Sequence, residues 1–362
     1  MALLTVLLVG AAYAADKLDH AAPKPSQKHA RHRSRPTEAS LPREPSAPTT
    51  QPPLHRIFHQ LLRTNPHAAH TALPALHLAT RFLTTDAFLA YWFIVFSSPA
   101  HELPMPPEYR TEPKPKHTHH EFAAPLPSHL TRAQLTHTKY MLAQLADSVT
   151  LDLASPAPVD AGGRCKALRH QPASPASTFP SGHKSLVQIS AYFLRTLTHP
   201  AVSERDRVWL HFELAKTLLH ELAHAAVNAA RGKRSGEHFF FRGGVVAEDG
   251  FQLEACLFGG KIDLRRAEFH RMLWRREGEG RGKAEVDRGE GGRRGLIRGY
   301  WTPWPSAAVV EEYRARGSPI GVRGAVPSHR HGREIIFERI RRLFGEGAWE
   351  EDVRRYGAIR LV

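Results

Sequence analysis

LAKTLLHELAHAAVNAA, residues 214–230, holds two histidines four positions apart, His220 and His224, with Glu221 beside the first. No proline or glycine interrupts the chain from Ser203 to Ala230. Val208, Phe212, Ala215, Leu218, Leu219, Leu222 and Val227 recur at helical spacing and read as a core-facing stripe. Ser203, followed by Glu204 and Asp206, reads as an N-cap with an acidic first turn, and Gly232 as the C-cap. The stretch is therefore expected to be one long helix. Side chains four apart on a helix lie on the same side, with Cβ atoms about 5–6 Å apart.

Two imidazoles so placed can aim a ring nitrogen each at one ion, at Zn–N distances of about 2.0–2.1 Å. Glu221 is turned about 100° from His220, so it flanks the ion and reaches a water held there. The expectation is a Zn2+ site with His220 and His224 as ligands and Glu221 as general base. With 24 His in the chain, H-E-x-x-H can also arise by chance. Against chance stands its place on the strongest helix of the sequence. Catalytic zinc usually takes three protein ligands, and the downstream candidates are Glu237, His238, Glu248, Asp249, Glu254 and Cys256. Glu248 is favoured: it opens a helix expected over Val246 to Phe258, where a carboxylate is electrostatically stabilised. His238 is the alternative and would give a three-histidine site. Glu254 reads as a carboxylate that holds a ligand histidine by its free N–H. Tyr300, Tyr313 and His329 are candidates for stabilising an oxyanion, and spacing does not choose among them. His119 and His120 lack a third partner by spacing.

His220, Glu221 and His224 match the H-E-x-x-H motif of the zincin metallopeptidases, which the chain resembles over roughly residues 130–260. The resemblance implies two ligands, a general base and peptide-bond hydrolysis. AEDGF (residues 247–251), with Glu248, is similar to the downstream acidic motif of the gluzincin branch, which supplies a glutamate ligand. The gap is longer than in the aminopeptidase form, and Asp249 precedes Gly250. LVQIS (residues 186–190) followed by TLLHELAHA (residues 217–225) resembles the SprT-like proteases, in which a histidine soon after the helix is the third ligand. That implies His238 here, but Phe239 follows it where that family has glycine, and the family's C-terminal zinc ribbon is missing. HELAHA with the later Glu248, Gly250, Glu254 and LFGG (residues 257–260) is also similar to a group of fungal zincin-like proteins.

The surroundings predict an α+β, zincin-like domain over residues 130–362. A small sheet, from strands Thr150 to Ser155 and Ser185 to Ser190, packs on the HELAH helix, with further helices C-terminal to it. An amphipathic helix is expected to use Leu135, Tyr140, Leu142, Leu145 and Val149. Residues 162–184 read as loop, with His183 in a surface turn. A helical piece is expected through residues 263–276, and one or two amphipathic helices within 333–357. Residues 54–98 read as helical pieces and 99–129 as a Pro/His-rich linker. Residues 15–53, rich in Pro, Arg and His, and the charged Gly-rich insert 277–295 are expected to be disordered. Residues 1–14 form a signal-like apolar segment without a basic start, which leaves secretion and an intracellular place both open.

A net charge of +15 and a sequence pI of about 10.1 favour weak binding of nucleic acid, beside a peptide or protein substrate. Asp86 interrupts the apolar stretch 82–98, so no transmembrane segment is expected. Cys165 and Cys256 make neither a disulfide framework nor a zinc ribbon, and are expected to be buried free thiols.

Overall fold

Ser203 caps the HELAH helix in the computed structural model: its side chain accepts the Asp206 N–H at 3.1 Å. The structure describes residues 52–102, 120–124, 126–155, 162–172, 178–179, 182–232, 238–239, 248–265, 297–303, 333–345, 348–353, 359 and 361. These belong to one compact unit, Thr49–Val362. The segments 1–14 and 277–295, nearly all of 15–53, and Tyr313, His329, His119 and Glu237 lie outside the described residues.

Eight α-helices and nine strands are described. In chain order they are α1 (His59–Thr64), α2 (Pro66–Thr84), α3 (Leu89–Ser97), β1 (Ala100–Glu102), β2 (His120–Phe122), α4 (Arg132–Leu145), β3 (Val149–Ser155), β4 (Gly163–Pro172) and β5 (His183–Ser190). Then follow α5 (Ala191–Leu197), α6 (Glu204–Arg231), β6 (His238–Phe239), α7 (Asp249–Phe258), β7 (Gly260–Arg265), β8 (Arg298–Pro303), β9 (Arg333–Glu334) and α8 (Phe337–Leu343). The class is α+β, with three small sheets ordered β1-β2-β6, β3-β5-β4 and β7-β8-β9.

The centre is α6. β4 and β5 pack on it, as do α2, α3, α5, α7 and α8. It is consequently buried on nearly all sides. Trp209, Leu210, Leu214, Ala223, Ala225 and Ala226 are as enclosed as the expected stripe, whereas Val208 is only half-buried. A two-faced helix is thus corrected to a core helix, because elements from both ends of the chain close around it. Its ends are as expected: Gly232 follows Arg231 at φ 77°, a conformation that favours glycine.

Several local expectations change. Residues 163–172, read as loop, form β4, antiparallel to β5 in the register Cys165↔Val187. The strand lacks β-branched residues, and its pairing with β5 decides the conformation. His183 begins β5 and is half-buried rather than exposed in a turn. Tyr140 stays 52% exposed, and Met141 and Thr138 take the buried side of α4, while Val149 opens β3. Asp263 to Arg265 are strand rather than the start of a helix, and the rest of 266–276 lies outside the described residues. The stretch 99–129 contains β1 and β2. Within 333–357, the described parts are β9, α8 and a π-helical turn Ala348–Val353, which bury Ile340, Leu343, Ala348 and Val353. Cys165 and Cys256 are not joined in a disulfide, and both are only partly buried.

α3 buries Leu89, Tyr91, Trp92, Ile94 and Val95. Among the described residues no single helix is long and apolar enough to cross a membrane. Pro66–Thr84 and Asp86–Ser97 pass the length and composition test only as a pair, bent by 75°.

Candidate metal centre

α6 brings His220 and His224 to the mouth of α7, with ring centroids 5.2 Å apart. Glu248 is the N-cap of α7 rather than a residue within it. Its backbone is extended, and its Oε2 accepts the Phe251 N–H. The other oxygen, Oε1, lies 2.9 Å from His224 Nε2 and 3.3 Å from His220 Nε2. One donor atom from each of the three side chains falls within 4.8 Å of the others.

His220 and the first turn of α7 are held in place. His220 Nδ1 meets Glu254 Oε1 at 3.1 Å, which is the carboxylate–histidine contact expected of Glu254. The Phe251 ring stands edge-on to His220, centroids 4.9 Å apart. Gly250 lies under the His220 ring so closely that any Cβ there would overlap it. The buried Tyr91 hydroxyl donates to the Asp249 carbonyl at 2.9 Å, tying the first turn of α7 to α3.

Glu221 points to β4. The Cys165 N–H donates to it. A Cβ at Gly163 would stand 2.9 Å from its Cγ, so glycine leaves the room it occupies. Burial raises the Glu221 carboxyl above 4.5, and the adjacent His220 and His224 only partly offset this. Burial works against the charge on His220 too, yet Glu248 and Glu254 at its two nitrogens raise it well above 6.5 in the metal-free chain. Burial likewise opposes charge on Glu248, but the two histidines hold it well below 4.5. Glu254, also penalised by burial, is held below 4.5 by Lys216 and His220.

These residues fit a divalent cation. Donors about 2.0–2.1 Å from one tetrahedral ion stand about 3.3 Å apart, close to the Glu248–histidine spacings. The charges agree. Glu221, Glu248 and Glu254, all mostly buried, gather with two buried lysines, Lys216 and Lys261. Lys216 also pairs with Glu213 at 3.4 Å and Lys261 with Asp263 at 2.9 Å, so carboxylates outnumber lysines. An imidazole with an ionised carboxylate at each nitrogen carries two protons or trades one for a metal ion. His220 stands in that position.

His238 lies in β6, its backbone opposite His120 of β2. Tyr300 lies mid-strand in β8, opposite Asp263 and Glu334. Asp249 is buried beside Glu248, and Cys256 has its thiol pushed up to about 12 by burial. Sequence reasoning missed Lys216, Gly163, Gly250 and Tyr91. Of these only Gly250 was named from the sequence, as part of the likeness that includes Glu248 and Glu254, and without a role. Comparison with family models, curated proteins and solved structures finds no match to this chain.

Proposed function

We propose that this chain is a zinc-dependent peptidase with a zincin-like, gluzincin-type centre. His220, His224 and Glu248 are the ligands, with Glu248 preferred to His238. The observation that carries this reading is the approach of the two HELAH imidazoles and one remote carboxylate to within 4.8 Å, with the second nitrogen of His220 held by Glu254. Zinc, when bound, supplies a lowered pKa for a water ligand and a Lewis acid for the substrate carbonyl.

The remaining chemistry belongs to the chain. Glu221, shielded from solvent and held by the Cys165 N–H, takes a proton from the attacking water and hands it to the leaving amine. Burial, which raises its pKa, makes it a better proton acceptor than an exposed carboxylate. β4 pairs only with β5 among the described residues, so its other edge has peptide groups to offer an extended substrate beside Glu221.

The test compares wild type with Glu221→Gln on casein. Wild type is expected to cleave it, and the variant to lose about 10²–10⁴-fold in turnover while keeping one zinc per chain. A purified wild-type chain without zinc overturns the reading. The net charge of +15 favours one other reading, a zinc-held scaffold that binds nucleic acid or a protein through its basic surface. Zinc bound without turnover in either form would point there.

A further inference from the structure

Lys216 lies one turn before His220 on α6 and is buried. Four residues apart, the two side chains share one side of the helix and converge on one atom. Glu254 Oε1 is 3.7 Å from Lys216 Nζ and 3.1 Å from His220 Nδ1. The other Glu254 oxygen accepts the Ile262 N–H at 3.2 Å, while Lys216 donates to the Ile262 carbonyl at 2.9 Å. Lysine, glutamate and one residue of β7 therefore close a ring. The strand fixes both charged groups, and the carboxylate is left with a single outward task, the His220 ring. Lys216 also pairs with Glu213 Oε2 at 3.4 Å, and the buried Lys261 lies near Glu254, itself paired with Asp263 at 2.9 Å.

We propose that Lys216 is a positioning residue of the metal centre, fixing the Glu254 carboxylate that in turn orients the His220 ring so that its Nε2 faces the ion. This rests on the zinc reading above. Stability alone is a poor account of Lys216, since a buried ion pair can often be replaced by apolar side chains of similar volume at little cost. An apolar residue at 216 would remove the Lys216–Glu254 ion pair and leave the Ile262 N–H as the hydrogen bond that holds Glu254 besides the histidine. The carboxylate would then be held against turning about its last bond by the Ile262 N–H alone, and the ring would lose definition with it.

Zinc affinity of the full chain, measured by competition with a chelator, tests this. Lys216→Met and Glu254→Gln are each expected to weaken zinc binding by about 10–100-fold. Because Lys216 acts through Glu254, the double variant should bind no more weakly than Glu254→Gln alone. Glu213→Gln, which leaves the Lys216–Glu254 contact in place, should stay within about threefold of wild type. If Lys216→Met does not fold, Lys216→Gln, which keeps a donor for the Ile262 carbonyl, takes its place with the same expectations. Wild-type affinity in the Lys216 variant, or losses that add in the double variant, overturn the positioning role and leave the zinc reading standing. A wild-type chain that binds no zinc overturns both.

Discussion

Gly250 belongs to the candidate metal centre by virtue of what it lacks. The His220 ring occupies the space that any side chain at 250 would need. The backbone there is not in the left-handed region, so the requirement is one of room. Gly250→Ala should push the ring off the Glu248 carboxylate and weaken zinc binding by about tenfold or more, with the secondary structure retained by circular dichroism. Unchanged affinity would mean that the ring has another seat. Gly163 makes the same kind of allowance for Glu221. Neither glycine announces its role in a sequence, because the side chain that needs the room is far away along the chain.

Elements repeat this division between local and remote causes. The ends of α6 are local events. Ser203 accepts the Asp206 N–H and donates to the Asp206 carboxylate at 2.6 Å, and the other carboxylate oxygen takes the Ile297 N–H at 3.0 Å. Ser203→Ala should cost about 0.5–2 kcal/mol in urea unfolding, towards the upper end because Asp206 then loses a donor that held it on Ile297. Such caps are legible in single residues, as was the H-E-x-x-H spacing. Glu248 was legible as a candidate ligand, but its place as the cap of α7 was not, because helix boundaries depend on which N–H groups find acceptors. β4 was illegible because its strand state is imposed by β5. Lys216 was read past because a lysine within an apparently two-faced helix passes for a solvated residue. Only the packing of α7 and β7 against α6 shows it enclosed.

For the whole molecule, the buried charges link stability to pH. Glu248 and Glu254 titrate below 4.5 in the metal-free fold, so they contribute stability above that value, which is lost as pH falls through their folded pKa. His220 titrates well above 6.5, so its contribution is full below 6.5 and is lost as pH rises through its folded pKa. On the proposed zinc reading the ion would displace that proton, so its binding would strengthen as pH rises through and beyond 6.5. The rise in Tm caused by a fixed excess of free zinc should therefore grow from about pH 6 to about pH 8. A flat profile would place the ion elsewhere. The two oxygens of Glu248 also have separate employers, one facing the histidines and one seating the Phe251 amide. A cation arriving at the first would act as a clasp between two segments remote along the chain. Its departure would fray the opening turn of α7, so that occupancy and local order rise and fall as a single equilibrium.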